Sequence, residues 1–491
     1  MMGFAPLRPS GELARRTRDE RKGSTMFGEL EEHCGVVGVF GHPEASTIAY
    51  LALHALQHRG QESAGLVAGD GEQLRRHRAM GLVGEVFTPE TLASLAGDRA
   101  IGHVRYSTAG ASAAENAQPF MMRDRGGQLA IAHNGNLVNA DELRRELESQ
   151  GAVFATSSDT EIILHLIAQE SDGLLETRIA RALERVEGAY SLVFLSRDRL
   201  VAARDPHGFR PLVLGVTREG AHVVASETCA FNLIEARYLR EIEPGEIVVL
   251  DGSGTRSMRL PRGVGARCPF ELIYFARPDS KVFSRSVYAS RLALGRELAR
   301  AQPCEVDVVV PVPDSGTAGA LGFAQEIGRP FQLGLIRSHY VGRTFIEPAQ
   351  SIRHFGVKLK LSVVEEVVRG QRVAVVDDSL IRGTTSRKIV RLLRDAGARE
   401  VHLRITAPPT RFPCYYGIDT PTRQELVAAT HSVEEIARYV QADSLGYLTV
   451  EAMHRALGSD RETFCDACFS GDYKLAFPRG EPDDERKVGN G

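Results

Sequence analysis

The segment 373–386 limits the possible folds of this chain more narrowly than any other. It begins with an apolar strand pattern at 373–376, continues with two aspartates, and passes through a short Gly-containing loop into a helix predicted over 384–396. Similar apolar strand patterns lie on either side of it, at 306–312 and 400–406. Strands separated by helices in this way run parallel and are joined by right-handed crossovers. We therefore predict a doubly wound α/β sheet whose ligands bind outside the carboxyl ends of the strands.

The loop between this strand and its helix has the composition of a phosphate site. A helix N-terminus presents unpaired N–H groups and a partial positive charge, and glycine lets a ligand approach the backbone closely. The carboxylates of Asp377 and Asp378 suit ribose hydroxyls or a hydrated Mg²⁺. A helix that is simply well capped would leave this acidic pair unexplained. The other predicted ligand contacts in the loop are Arg382, Gly383, Thr384, Thr385 and Ser386.

The first half of the chain follows a different pattern, with many short strands and few helices. This mixture predicts an antiparallel α+β domain. A Gly- and Arg-rich stretch at 252–267 is interpreted as the linker that follows it. Low-periodicity segments at both ends predict flexible termini. The predicted division is a leader over 1–33, a first domain over 34–265, a second domain over 266–473 and a flexible tail over 474–491.

Charge and composition exclude several classes of protein. The chain of 491 residues carries a formal net charge of -3, so no global positive field draws it to nucleic acid or anionic lipid. It has no apolar run near the ~18–20 residues of a membrane helix, and its N-terminus lacks the apolar core of a secretory signal. Seven cysteines without an export signal indicate a reducing compartment. We therefore predict a cytoplasmic enzyme that binds neither nucleic acid nor membranes.

Cys34 stands between the predicted leader and a short apolar strand. By position alone, a core thiol and a nucleophile are equally good interpretations. If the bond between His33 and Cys34 is cut, a free α-amine with a pKa of about 7.7–8.0 is released. That amine can act as general base to the thiol beside it. We therefore predict Cys34 as an N-terminal nucleophile, with residues 1–33 as its propeptide.

Other residues of the first domain carry groups that would serve such a nucleophile. Arg105 suits a bidentate grip on a substrate carboxylate, and Asp159 suits a substrate ammonium. Asn134 and Gly135 offer a side-chain amide and a backbone N–H to an oxyanion. Each has a plainer alternative: Arg105 as a surface charge, the Asn-Gly pair as a hairpin turn, and Asp159 as part of a helix cap.

In combination, these stretches resemble the glutaminase domain of the N-terminal-nucleophile amidotransferases. The resemblance lies in Cys-Gly-Val-Val-Gly (34–38), His-Arg-Gly-Gln-Glu-Ser-Ala-Gly (58–65), Gly-His-Val-Arg-Tyr-Ser-Thr (102–108) and His-Asn-Gly (133–135). It implies a four-layer αββα fold in which Cys34 attacks the glutamine amide. It also implies that Arg105 and Asp159 hold the amino-acid end of glutamine. Asn134 and Gly135 would then stabilise the oxyanion.

The segment 373–386 resembles the phosphoribosyl-pyrophosphate signature of the type I phosphoribosyltransferases. A second loop, Pro-Asp-Ser-Gly (313–316), looks suited to pyrophosphate and metal, and Ser315 joins the two aspartates as a predicted Mg²⁺ ligand. Arg343 and Lys358 belong to a basic stretch that we predict to close over pyrophosphate and exclude water. Solvated surface charge is the plainer interpretation of these two residues.

A glutaminase followed by a phosphoribosyltransferase is a rare pairing, and the span from 34 to about 473 resembles the glutamine phosphoribosylpyrophosphate amidotransferase family. The motif Arg-Asp-Pro-His-Gly-Phe-Arg-Pro (204–211) supports the match. The resemblance implies that glutamine and phosphoribosyl pyrophosphate give 5-phosphoribosylamine, glutamate and pyrophosphate, with one Mg²⁺ per subunit, as the first committed step of purine synthesis. Two rival functions fit less well. A glutaminase that feeds a sugar isomerase or an asparagine-type synthetase does not need segment 373–386, and a ligand-sensing regulator does not need a processed Cys34.

Four further cysteines could hold a metal centre. Four thiolates with one Cys-x-x-Cys pair fit either a tetrahedral zinc or a [4Fe–4S] cluster. The ending Phe-Cys-Asp-Ala-Cys-Phe-Ser-Gly-Asp-Tyr (464–473) resembles the iron–sulfur branch of the family, which implies one structural or oxygen-sensing [4Fe–4S] cluster per subunit. That branch also implies a homotetramer inhibited by purine nucleotides. The predicted cluster ligands are Cys268, Cys414, Cys465 and Cys468, whereas Cys229 and Cys304 are predicted to be buried core thiols.

Overall fold

The computed structural model describes residues 34–106, 113–124, 126–338, 361–420, 422–458 and 461–475. The predicted leader, Arg343, Lys358 and all but the first two residues of the predicted tail lie outside these ranges. Within the ranges, no helix combines the length and the apolar character needed to cross a membrane.

Two antiparallel sheets make up the first half of the described chain. The seven-stranded sheet has the order β11-β9-β10-β1-β4-β2-β3 and the six-stranded sheet the order β13-β12-β8-β7-β6-β5, with the strands defined as follows. They are β1 Gly35–Phe40, β2 Ser63–Gly69, β3 Leu74–Met80, β4 Arg99–Arg105, β5 Phe120–Asp124, β6 Gly127–Leu137, β7 Gly188–Ser196, β8 Arg199–Arg204, β9 Val213–Val216, β10 His222–Ala225, β11 Arg237–Glu241, β12 Glu246–Asp251 and β13 Gly254–Arg259.

Helices cover the outer face of each sheet, so this half of the molecule has four layers in the order αββα. Strand β1 shows how the sequence produces them. Val36 packs between the two sheets, whereas Val37 and Val39 pack against the outer helices, because successive strand residues point to opposite faces. This is the fold that the family resemblance implied. The main outer helices are Ala45–Ala55, Val83–Val86, Pro89–Ser94 and Cys229–Leu233 on the first sheet, and Ala140–Ser149, Thr160–Gln169 and Leu175–Glu184 on the second.

Strand β13 lies inside the stretch 252–267 that the sequence analysis interprets as a linker. It pairs with β12 alone, at the edge of its sheet, and nearly all of its residues are exposed. An exposed edge strand needs no alternation of apolar and polar residues, because most of its side chains face solvent. Backbone pairing with β12 and polar contacts such as Arg256 with Glu176 and Ser257 with Glu246 hold it. The linker prediction is therefore wrong for 254–259.

A parallel sheet with helices around it makes up the second half, as predicted for an α/β unit. Its order is β16-β19-β20-β21, and all three pairings are parallel. The strands of this half are β14 Lys281–Val282, β15 Arg285–Ser286, β16 Val308–Pro311, β17 Leu335–Arg337, β18 Leu361–Val363, β19 Arg372–Asp377, β20 Glu400–Ile405 and β21 Ser444–Tyr447. Its α-helices are Val287–Ala301, Thr317–Ile327, Glu365–Val368, Thr384–Asp395, Val427–Thr430, Val433–Val440, Val450–Ala456 and Ala467–Ser470.

Candidate functional sites

Cys34 directly precedes β1, where the register of the sheet brings it to Arg105. Gly35 pairs with Val104, so the residues just beyond this pair are neighbours. The Cys34 thiol donates to the carbonyl oxygen of Tyr106 at 3.7 Å. Arg105 is buried, and its guanidinium forms an ion pair with Glu62 at a nitrogen–oxygen distance of 3.6 Å. The alternative of Arg105 as a surface charge therefore does not apply.

The thiol of Cys34 is poorly ionised in the uncleaved chain. Burial raises its pKa from 9.0 to about 12, although the guanidinium of Arg105 opposes this shift. The carboxylates of Asp159 and Glu62 raise the pKa further. A nucleophile at this position needs a base of its own at neutral pH.

Asn134 and Gly135 lie in the middle of strand β6 and pair with Ser191 and Tyr190 of β7, so they do not form a hairpin turn. Gly135 has a φ of +153°, and a Cβ atom there would lie 1.9 Å from the carbonyl oxygen of Ala189. Only glycine fits this position. The Asn134 side chain is fully buried, and neither its oxygen nor its nitrogen has a hydrogen-bond partner. A buried amide without a hydrogen bond lowers the stability of the fold. Such an unpaired group is expected where a ligand supplies the missing partner.

Asp159 precedes the helix Thr160–Gln169, but its side chain does not cap that helix. One carboxylate oxygen accepts the backbone N–H of Leu137 at 3.0 Å, and the other lies 3.7 Å from Nδ1 of His133. Burial alone would raise the pKa of Asp159, but these contacts outweigh it and hold the pKa below its ordinary value. Asp159 is therefore a buried carboxylate that stays ionised.

Asp377 ends strand β19, and Asp378 follows it at the carboxyl edge of the parallel sheet. Both are buried. The backbone carbonyl oxygens of these two residues accept N–H bonds from Thr406 and Ala407, at 3.0 and 2.8 Å, which tie the loop after β20 to them. Burial raises the pKa of Asp378, while the hydroxyl of Ser315 opposes the shift as a hydrogen-bond partner. The structure thus brings together the three predicted Mg²⁺ ligands.

The loop after Asp378 leads into the helix Thr384–Asp395, as predicted. Gly383 stands at the N-cap with a φ of +73°. Ser386 is buried, and the buried hydroxyl of Thr385 has no hydrogen-bond partner. Arg382 also contacts a residue outside this loop, since its Nη2 donates to Glu425 at 3.1 Å.

The four predicted cluster cysteines come together, although they are spread over 201 positions of the sequence (268–468). The N–H of Cys465 donates to the Arg267 carbonyl at 2.9 Å, and the carbonyl of Cys468 accepts from the N–H groups of Arg411 and Phe412. All four are free thiols. Together with Phe209, Arg210, Tyr416, Ile418, Ala467 and Tyr473 they line one cavity.

The spacing of these thiols bears on which metal they suit. Among the described residues, one group of three potential ligands has donor atoms all within 4.8 Å of one another, and it contains none of these four cysteines. A single tetrahedral zinc, with Zn–S bonds of about 2.3 Å, would hold its sulfurs roughly 3.8 Å apart. No three of the four thiols have their sulfurs all within 4.8 Å of one another, a wider spacing than a single zinc requires.

The compact group is His58, Glu227 and Cys229. Its carboxylate is already engaged. Glu227 accepts from Arg59, from His58 at 2.8 Å and from the Ser280 hydroxyl at 2.6 Å. These cationic and hydroxyl partners make it a buried ion-pair network. Cys229 is buried as predicted, whereas Cys304 is half-buried.

Arg210 is the main residue at these sites to which the sequence analysis assigns no role. Its guanidinium borders the cysteine cavity, donates from Nη1 to Glu271 at 3.1 Å, and lowers the pKa of the Cys34 thiol against the effect of burial. It belongs to the motif 204–211, but its neighbours lie far along the chain. No local spacing could therefore identify them.

Known proteins share this arrangement. The glutamine amidotransferase domain family matches residues 103–232. The chain is 57% identical to amidophosphoribosyltransferase 1, chloroplastic, of Arabidopsis thaliana over 90% of this chain and 79% of that protein. It is 49% identical to the amidophosphoribosyltransferase of Bacillus subtilis, over 90% and 94% of the two chains. The solved glutamine phosphoribosylpyrophosphate amidotransferase of B. subtilis, complexed with ADP and GMP, matches with a TM-score of 0.85 at 49% identity, covering 90% of this chain and 97% of that chain.

Proposed function

Because this chain belongs to the amidophosphoribosyltransferase family, we propose how its residues divide the work of that reaction between two centres. The enzyme transfers ammonia from glutamine to phosphoribosyl pyrophosphate and yields 5-phosphoribosylamine, glutamate and pyrophosphate, the first step of purine biosynthesis. Both rival functions, a different amidotransferase and a non-catalytic sensor, are set aside by this membership.

At the first centre, Cys34 is the nucleophile and its own α-amine is the base, once the leader 1–33 has been removed. The thiol gives its proton to the amine, and sulfur attacks the carboxamide carbon of glutamine. Asn134 Nδ2 and the N–H of Gly135 donate to the oxyanion. The protonated α-amine returns its proton to the amide nitrogen, which leaves as ammonia. Water then cleaves the thioester to release glutamate. The unpaired, buried amide of Asn134 is the observation that supports this assignment most directly.

Arg105 and Asp159 hold the two ends of the amino-acid group of glutamine. A buried guanidinium pairs with the α-carboxylate, and a buried carboxylate that stays ionised pairs with the α-ammonium. Because both side chains are buried, these contacts form in a low dielectric environment, where they discriminate strongly against ligands that lack either charge.

At the second centre, the loop Arg382 to Ser386 binds the 5-phosphate, and the two aspartates bind the ribose hydroxyls. One Mg²⁺ per subunit would be held by Ser315, Asp377 and Asp378, and when bound it would offset charge on the pyrophosphate leaving group. Arg343 and Lys358, outside the described residues, would close over the pyrophosphate. The nitrogen of ammonia attacks C1 of the ribose while pyrophosphate departs. The buried, unpaired hydroxyl of Thr385 supports a phosphate contact here.

The four cysteines hold one [4Fe–4S] cluster per subunit. Their wide spacing supports a cluster over zinc, and their convergence from distant parts of the chain supports a structural role. Metal analysis of anaerobically prepared protein tests this: we expect about four irons and four sulfides per chain. Stoichiometric zinc without iron would overturn it. Serine at Cys229 or Cys304 should leave the metal content unchanged.

Several properties of the whole enzyme belong to the same proposal. We expect a cytoplasmic homotetramer inhibited by purine nucleotides. The nucleotides in the matched B. subtilis structure, ADP and GMP, support this class of inhibitor.

The separation of the two centres is open to a direct test. In a chain that begins at residue 34, Cys34→Ala should abolish synthesis from glutamine but keep synthesis from concentrated ammonium at alkaline pH. Asp377→Ala with Asp378→Ala should abolish both. Phosphoribosyl pyrophosphate should also accelerate glutamine hydrolysis in the parent enzyme. A ligand that shifts the enzyme toward its closed conformation also favours the glutamine that this conformation binds. A Cys34 variant that is equally inactive with ammonium would contradict the division.

A further inference from the structure

Arg210 borders the cysteine cavity with hydrogen-bond donors to spare. It lies in the loop between β8 and β9 and is almost completely buried, with 1% of its surface exposed. Among the described residues that line the cavity, it is the only one with a basic side chain. Gly417, three residues after Cys414, lies beside it, since a Cβ on Gly417 would come 3.2 Å from Nη2 of Arg210.

Two of the donor nitrogens of Arg210 have no partner. Nη1 donates to Glu271, but Nε and Nη2 are buried without a hydrogen bond. Arg59, which binds the same glutamate, uses Nε and both Nη atoms on Glu227 and Glu271. Unpaired donors on a buried charged group are strongly unfavourable. The two free donors of Arg210 therefore indicate a partner that is part of the working protein.

The proposed cluster would supply acceptors for the two unpaired donors of Arg210, and its negative charge would need the positive charge of that residue. Four thiolates around a [4Fe–4S] core in its common 2+ state leave two net negative charges in a buried cavity. Buried charge of this kind requires a nearby cation or hydrogen-bond donors. Hydrogen bonds to the sulfurs and the net charge of the surroundings also set the reduction potential of such clusters.

We propose that Arg210 is the counter-charge of the cluster and donates from Nε and Nη2 to cluster or cysteine sulfur, while Glu271 orients it through Nη1. Arg210 is thus a positioning and tuning residue for the cofactor, and it makes no bond to iron. This inference rests on the proposed cluster. It requires that the cation at position 210 change the electronic properties of the cluster, and not only the packing around it.

The test compares anaerobic, full-length protein with Arg210→Met, Arg210→Lys and, as a matched loss of a buried arginine, Arg404→Met. Arg404 is 4% exposed and donates to the Gln302 carbonyl, away from the cavity. Iron and sulfide content, the midpoint potential of the cluster and its rate of bleaching in oxygen are measured. We expect Arg210→Met to shift the potential to a more negative value and to bleach at least threefold faster. Arg210→Lys and Arg404→Met should stay close to the parent.

The sign of the potential shift separates this role from packing. Loss of a cation makes the cluster harder to reduce, whereas water admitted by a packing defect makes it easier. A positive shift, or an Arg210→Met protein with parental potential and bleaching, would overturn the inference. If Arg210→Met holds no iron, the Arg210→Lys variant decides the question. A cluster retained in Arg210→Lys supports the role of the positive charge, whereas an equal loss of iron in both variants refutes it. A parent without iron and sulfide would instead overturn the proposed cluster itself.

Discussion

Gly417 packs directly on Gly135. A Cβ atom on Gly417 would lie 3.1 Å from the carbonyl carbon of Gly135. One residue along β6, the side-chain amide of Asn136 donates to the carbonyl oxygen of Tyr415 at 2.9 Å. The loop that carries Cys414 is therefore braced against the strand that carries the proposed oxyanion donors. The cysteine site and the glutaminase site share a backbone contact.

Gly417→Ala should weaken both the fold and the use of glutamine. The φ of Gly417 is +101°, a conformation that costs a residue with a side chain about 1–3 kcal/mol. The new methyl group would also press on Gly135. We expect a lower free energy of unfolding and a lower ratio of glutamine-dependent to ammonia-dependent synthesis. Gly71→Ala is the control, because Gly71 has a φ of +95° and nothing within 4 Å. Equal activity ratios in both variants would contradict the contact's role.

Asn134→Ala should slow glutamine hydrolysis without abolishing glutamine binding. Removal of one oxyanion donor typically lowers kcat about 10²–10³-fold, while KM should change little because the carboxamide oxygen gains its charge only in the transition state. Synthesis from ammonium should persist. Asn139→Ala serves as the control: Asn139 is also buried, but it donates to the Arg185 carbonyl. That change should affect stability and leave the activity ratio intact. A raised KM with unchanged kcat at Asn134 would refute the oxyanion role.

The Cys34 thiol should react very slowly in a chain that keeps its leader. With a pKa raised from 9.0 to about 12 by burial, the thiolate fraction at pH 8 falls about a thousandfold. Alkylation of Cys34 by iodoacetamide should therefore increase about tenfold per pH unit throughout the range from 8 to 11. In a chain that begins at Cys34, glutamine hydrolysis should instead level off above the α-amine pKa of about 8. A plateau of alkylation near pH 9 in the uncleaved chain would contradict this.

His103 should make the fold sensitive to acid. Burial lowers the pKa of this histidine from 6.5 to about 3, so the unfolded chain binds a proton at a pH where the folded chain does not. Its contribution to stability is complete above pH 6.5 and is lost as pH falls toward 3, by about 1.4 kcal/mol per unit. His103→Gln should reduce this slope. The free energy of unfolding in urea at pH 7, 5.5 and 4.5 measures it, and identical slopes in the two proteins would contradict the assignment.

Local patterns in the sequence predict a large part of the architecture. The strands predicted at 306–312, 373–376 and 400–406 correspond to β16, β19 and β20, because a buried parallel strand must be apolar throughout. Asp377 ends its strand and Asp378 follows directly, as predicted, since strand, loop and helix all follow from residues within about 20 positions. The αββα layers came from the family resemblance, and β1 shows their physical basis in its alternating faces.

What only the tertiary structure decided is which distant residues meet. The spacing of the four cysteines fits either zinc or a [4Fe–4S] cluster, and only the family resemblance of the segment 464–473 favoured the cluster. Their spacing in the folded chain, which supports the proposed cluster, depends on how packing brings Cys268 and Cys414 to Cys468. The sequence also left plainer alternatives for Asn134 and Asp159. The pairing of Asn134 with Ser191 in the sheet and the absence of a side-chain cap bond from Asp159 remove them. The sequence determines each local element through short-range propensity and periodicity. The contacts of Arg210 with Glu271 and of Gly417 with Gly135 join segments dozens to hundreds of residues apart, and they exist only once both halves of the chain have folded and packed together.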